Sequence, residues 1–397
     1  MRLILLFLIF INASVFASSI SPGTYNALNE LQEDIAGELT PKSIDSIREE
    51  LDDLISSLKS NPLGLALSLQ TLAQLETVLG NNKQAQIHLY KAIAIDDLEI
   101  TTLNQLRAML GYSLYSMDDH QSAIPILKDI IESSESPSAN IYALLAASYY
   151  SIQDYRLGLP YIEQACKLSK QPKEGWLQMA FSGHYQLKNY EMASRYVDLL
   201  VFNHPEKRDY WQQKAGLHQL REEYNLAAIT KELSYKKGFL QKNSDYTNLG
   251  QLLASQGEPY KVALIIEKNI NSQEIKSDEK ILNLLYQSWL QAKEINKAKE
   301  VLSILYDQYT VSKYGYTLLQ LYVDDQDWEK VVKLSSGLLK LELTDDQKGK
   351  VFLYQGLANY RIGNSKKARI SLGRASAFKS SSSQAKSWMS YIKQMET

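Results

Sequence analysis

Small residues return along the chain at a near-constant interval, each set within an apolar stripe of helical period. Ala85, Ala123, Gly158, Ala193, Ala227, Ala263, Ala298, Val331 and Ala368 are separated by 38, 35, 35, 34, 36, 35, 33 and 37 residues. A second series runs twelve residues ahead: Ala73, Gly111, Ala146, Phe181, Ala215, Gln251, Tyr286, Leu319 and Gly356. The spacing predicts units of helix A, a short turn, helix B and a looser connection. In the third unit Tyr142, Leu145, Ala146 and Tyr149 share one face of helix A, and Gly158, Ile162 and Ala165 follow on helix B. The physical reason is close packing: two antiparallel helices approach only where the crossing carries Ala or Gly, with large neighbours filling the flanking holes.

Some units are irregular. The sixth is expected to carry one extra residue in its A–B turn, Gly257-Glu258-Pro259, which displaces Gly250 by one place. The eighth has Val331 and Leu319 at the small positions and rests on Tyr322, Trp328 and spacing, whereas the ninth recovers the pattern with Phe352, Gly356, Ala368 and Ala375.

A period near 34 is the tetratricopeptide repeat (TPR) interval, and Pro205 follows Ala193 by twelve residues, where that repeat places its helix-stopping proline. The fold expected is all-α: a right-handed TPR superhelical solenoid of about nine helical hairpins between N- and C-terminal capping helices. Residues 18–62 read as a degenerate helical cap, 63–379 as the repeat array and 380–397 as a capping helix after the Ser380–Ser383 turn. Within the first cap, Pro41 starts a helix with an apolar stripe of Ile44, Ile47, Leu51, Leu54, Ile55 and Leu58, and Asn61-Pro62 breaks it. An atypical terminal helix is what such an array needs, since its end otherwise leaves an apolar face in water.

Residues 1–17 have the form of a signal peptide: Arg2, nine apolar residues from Leu3 to Ile11, and Ala17 before a mature start at Ser18. That run is too short for a membrane span, which needs about 20 residues, so export to the periplasm is expected. With 43 basic against 45 acidic residues and no basic block, neither nucleic acid nor an anionic membrane is an implied partner. Cys166 is the single cysteine and reads as a buried free thiol.

No catalytic motif emerges, so the expectation is a non-enzyme without a cofactor. His88, His120, His184, His204 and His218 make no zinc spacing. His184 and His218 lie 34 residues apart at equivalent repeat positions, without acidic residues matched by spacing, and packing is preferred over a metal site. Recognition is expected from the concave face. One helix-A position gives Tyr115, Tyr150, Tyr185, Gln219 and Tyr360; a neighbouring one includes Tyr112, Gln287 and Gln320; a third includes Gln178 and Tyr316. Tyrosine offers contact area at low entropy cost, and amides pair with peptide backbone. The competing reading is that several of these rings pack between helices.

The stretch from Pro205 to Ile270 holds Lys207-Arg208 followed by Trp211, a turn at Lys237–Leu240 and another at Gly257, Pro259, Tyr260 and Lys261. The end carries Ser387-Trp388 and Tyr391-Ile392-Lys393. Together these resemble the periplasmic TPR protein encoded beside TonB, ExbB and ExbD in marine gammaproteobacteria. The resemblance implies an accessory role in TonB-dependent outer-membrane uptake, such as iron–siderophore import, with a segment of the TonB–ExbB–ExbD machine as partner. It brings no established binding residues. The alternative is an adaptor in envelope biogenesis, serving peptidoglycan or outer-membrane assembly.

Overall fold

The computed structural model describes residues 20–395; the expected signal peptide at 1–17 lies outside them. Among the described residues there are 21 helices and no strand. Helices α1 (Pro22–Ala36) and α2 (Pro41–Ser57) precede the repeats. Nine hairpins follow. The first four pair α3 (Pro62–Val78) with α4 (Asn82–Ile93), α5 (Ile100–Ser116) with α6 (His120–Ser133), α7 (Ala139–Ser151) with α8 (Tyr155–Leu168), and α9 (Glu174–Gln186) with α10 (Tyr190–Asn203). The next three pair α11 (Arg208–Leu220) with α12 (Tyr224–Lys236), α13 (Asn243–Ser255) with α14 (Pro259–Asn271), and α15 (Glu279–Gln291) with α16 (Ile295–Tyr309). The last two pair α17 (Ser312–Asp324) with α18 (Trp328–Leu338) and α19 (Asp345–Arg361) with α20 (Ser365–Ala375), before the final α21 (Ser382–Met395). The chain is thus an all-α helical-repeat solenoid, in two compact units divided between Tyr210 and Trp211 within α11. No helix among the described residues is long and apolar enough to cross a membrane.

One turn closes every hairpin. Its key residue has positive φ: Gly80, Asp118, Gln153, Lys188, Glu222, Gly257, Lys293, Gln326 and Gly363. The next residue is always Asn, Asp or Glu, and its backbone N–H reaches back five residues to a carbonyl in the last turns of helix A, in a Schellman arrangement. Examples are Asp154 N–H to the Tyr149 carbonyl at 2.9 Å, Asn189 to His184 at 2.8 Å and Asn364 to Asn359 at 2.7 Å. In several turns the same residue caps helix B, its side chain accepting from the third N–H beyond, as Asp154 does from Leu157 at 3.0 Å and Asp119 from Ser122 at 3.2 Å.

Five residues past each positive-φ residue stands the helix-B crossing position. Ala85, Ala123, Ala193, Ala227, Ala298, Val331 and Ala368 are fully buried there. This fixed count corrects the sequence reading of the sixth unit. Its turn has no extra residue: the N–H of Val262 bonds the Glu258 carbonyl at 3.2 Å, as Ala227 bonds Glu223 at 3.0 Å. Val262, 1% exposed, takes the crossing, and a Cβ on Gly250 would lie 3.0 Å from it. Gly250, not Gln251, is therefore the helix-A partner, and Gln251 is exposed.

At the start of the chain, Thr40 accepts from the Ser43 N–H in a capping box on α2. Asn61 caps α3 by accepting from the Gly64 N–H at 2.8 Å, so Asn61-Pro62 begins the next helix as much as it ends the last. Leu28, Leu31, Ile35, Ile47 and Leu51 of α1 and α2 pack with Leu67, Leu72 and Leu75 of α3. At the other end, Ala385 and Ile392 of α21 are buried with Leu353, Ala368, Leu372 and Ala375.

Candidate functional site

Three of the expected groove tyrosines close their own turns. Tyr115 lies 5.0 Å from the His120 ring, Tyr150 5.0 Å from Tyr155 and Tyr185 5.9 Å from Tyr190. Each pair joins the end of helix A to the start of helix B across the Schellman turn. Tyr150 goes furthest inward. Its hydroxyl is buried without a hydrogen-bond partner, and burial followed by the nearby Glu163 pushes its pKa well above the usual phenol value. Gly158 and Gly183 leave room for the ring; a Cβ at Gly158 would come within 2.7 Å of it. Tyr185 stays 41% and Tyr112 44% exposed.

Gln178 is exposed but engaged: its Nε2 donates to the Tyr210 hydroxyl, which in turn donates to Glu174. Lys207 bonds both Glu174 oxygens at 2.6 Å, and the two hydrogen bonds from Lys207 and Tyr210 hold the Glu174 carboxyl below the usual carboxylate range. This cluster ties α9 to the start of α11 and leaves Gln178 little freedom to contact a ligand.

The second unit breaks the ring rule. In the fifth hairpin Gln219 stands where Tyr115, Tyr150 and Tyr185 stand earlier. The smaller side chain leaves Tyr224, at the start of α12, 50% exposed. A recess of about 370 Å³ opens there, lined by Gln219, Tyr224, Asn248, Gln251, Leu252, Ser255 and Gln256. Asn248, Gln251, Leu252 and Ser255 lie on one face of α13 at helical spacing, with Gln256 at its C-cap. Gln219 Nε2 donates to Asn248 Oδ1 at 3.5 Å, the Ser255 hydroxyl donates to the Leu252 carbonyl at 2.7 Å, and buried Leu252 forms an apolar floor. No lining side chain is charged.

With Gly250 in register, Gln251 occupies the same helix-A position as Gln287 and Gln320. All three are exposed, on α13, α15 and α17. Successive A helices thus present a row of primary amides, each with donors and an acceptor. At a helix spacing of about 10 Å, the row is matched by about six residues of extended chain. Tyr316, in the same unit, is half-buried against Leu319 and Val351, and burial raises its pKa. Tyr360 packs on Trp388 and Tyr391 at 6.2 and 6.0 Å.

Sequence reasoning found Gln219, Gln287 and Gln320 and missed Tyr224, Asn248, Gln251, Ser255 and Gln256. Holding the turn length constant through the sixth unit recovers Gln251 and the face it belongs to. The two equivalent histidines each pair with one glutamate, at unmatched spacing: His184 Nε2 with Glu163 at 3.0 Å and His218 Nδ1 with Glu223 at 2.8 Å. They belong to different units. Among the described residues no group of three or more His, Cys, Asp or Glu is placed to hold a metal ion. Cys166 is buried, and burial then Glu163 push its thiol up to about 11.

No family model and no curated protein matches the chain. Among solved structures it is similar to YrrB, a TPR protein with an unusual peptide-binding site (12% identity, 47% of this chain and 91% of that one, TM-score 0.40). It is also similar to a tetratricopeptide repeat protein of Parabacteroides merdae (16%, 66% and 99%, TM-score 0.38). A third is the TPR2AB domain of yeast Sti1 in its pHSP90 complex (16%, 65% and 97%, TM-score 0.36). No residue role passes from these structures to this chain.

Proposed function

We propose that the chain is an exported, non-enzymatic scaffold that holds an extended, uncharged segment of a partner protein along the Gln251–Gln287–Gln320 row. The observation that carries this is the uncharged, amide-lined recess at Gln219, Asn248, Gln251, Ser255 and Gln256 with the half-exposed Tyr224 beside it. Primary amides pair with main-chain N–H and C=O alike and read backbone rather than side chain, as in β-strand addition. A charged segment would lose hydration there without gaining a counter-charge.

The partner class we propose is a component of the TonB–ExbB–ExbD machinery, with the chain accessory to TonB-dependent uptake in the periplasm. The sequence resemblance over Pro205–Ile270 and the C-terminal helix supports this, and the opening 17 residues support export. The test is growth of a deletion strain that keeps a single TonB system, on an iron–siderophore complex as sole iron source. Wild-type protein restores growth, and a variant carrying Gln251→Glu, Gln287→Glu and Gln320→Glu fails to, at equal protein level. Unimpaired growth of the deletion strain, with detergent sensitivity or altered cell shape instead, overturns the uptake role and favours the envelope-biogenesis adaptor.

A further inference from the structure

The final helix carries aromatic side chains that the scaffold reading does not use. Ala385 and Ile392 anchor α21 to the array, and the outer face of such a cap needs only polar residues. Here it shows Trp388, half-buried, and Tyr391, 44% exposed. The two rings stand at 88° with centroids 5.6 Å apart, making a corner. Tyr360 stands 6.2 Å from Trp388, and the Arg361 guanidinium lies 6.0 Å from the Trp328 ring and 5.9 Å from the Trp388 ring. The indole is thereby held in place before any ligand arrives, which lowers the ordering entropy of binding. Beside it opens a recess of about 250 Å³ lined by Ser387, Trp388 and Tyr391.

We propose that this corner binds an uncharged pyranose ring of a glycan. A pyranose has a face of C–H groups, which suits the electron-rich face of an indole or phenol, and an edge of hydroxyls. The Ser387 hydroxyl donates to the Ser383 carbonyl at 3.1 Å, so its oxygen remains an acceptor for a sugar hydroxyl, as does that of Tyr391. A cationic ligand is disfavoured because Arg361 already sits over the Trp388 ring. An extended peptide is disfavoured because the lining offers hydroxyls and ring faces but no amide. The recess is formed by α21 alone and does not depend on the glutamine row.

The test titrates the purified protein with triacetylchitotriose and with maltotriose, following the indole N–H resonance assigned to Trp388 by its loss in Trp388→Phe. Saturable shifts with at least one sugar are expected, weakened tenfold or more by Ser387→Glu, which fills the recess, and by Tyr391→Ala, which removes the other ring of the corner. Ser387→Glu faces solvent and is expected to keep the wild-type melting temperature, so loss of binding in that variant is not loss of fold. The proposal is overturned if neither sugar shifts the resonance at millimolar concentration, if binding survives both variants, or if an uncharged peptide shifts it where the sugars do not.

Discussion

Replacing Lys188 by glycine should stabilise the protein, although it removes a side chain and adds no contact. Lys188 is exposed and held at φ 58° by the turn between α9 and α10. The left-handed region costs a residue with a Cβ about 1–2 kcal/mol. Glycine escapes that strain but gives up about 0.5–1 kcal/mol through the greater freedom of the unfolded chain. The difference leaves a gain of about 0.5–1 kcal/mol. Gln153 and Lys293, both at φ 63° and exposed, offer the same gain in other hairpins. The three sites share no partner, so a triple variant should gain about 2 kcal/mol by additivity. The reverse change, Gly257→Ala at φ 79°, should cost about 1 kcal/mol, since open space around its Cβ leaves only backbone strain. Urea unfolding followed by far-ultraviolet circular dichroism reads the midpoint. Amide exchange at Asn189, whose N–H closes the turn, reads the local effect, because repeat arrays open in parts. An unchanged or lower midpoint for the triple variant, with Gly257→Ala neutral, would refute the assignment of these turns.

Three further outcomes are expected. Gly183→Ala drives a Cβ into the Tyr150 hydroxyl and should cost about 1–3 kcal/mol; Tyr150→Phe, which removes a buried hydroxyl without a partner, should be neutral or stabilising and should relieve the Gly183→Ala defect in a double-mutant cycle. Cys166, with its thiol raised to about 11, should stay unlabelled by a disulfide reagent at pH 8 in the folded protein and react at once in urea; rapid labelling of folded protein contradicts its placement. Glu232 is held below the usual carboxylate range by Lys261 at 2.6 Å, with Lys236 adding to it. Its contribution is present above the unfolded carboxylate pKa and lost as pH falls through the lowered folded value. Lys261→Met should therefore lower the melting temperature at pH 7 and lower it less at pH 3.

The hairpin repeat was legible because close helix crossings demand small residues, and Ala or Gly at a fixed interval survives variation elsewhere. The turns were not legible: only three of the nine positive-φ residues are glycine, and Asp118, Gln153, Lys188, Glu222, Lys293 and Gln326 look like ordinary polar loop residues. That blindness produced the slip in the sixth unit, where Val262 fills a place expected to be Ala263. The slip in turn hid Gln251. The tyrosines were legible as a series but not as a direction, since an aromatic at the end of helix A packs on whatever ring begins helix B, here His120, Tyr155 and Tyr190. Where that partnership fails, at Gln219, the surface opens instead.

The glutamine row as a segment-binding face is tested most directly by photo-crosslinking in living cells. A benzoylphenylalanine placed at position 251 is expected to trap one partner protein, absent when the same group replaces exposed Lys268 on α14 and lost when Gln287→Glu and Gln320→Glu are added. Recovery of the same products from positions 251 and 268, or none from 251, would contradict it.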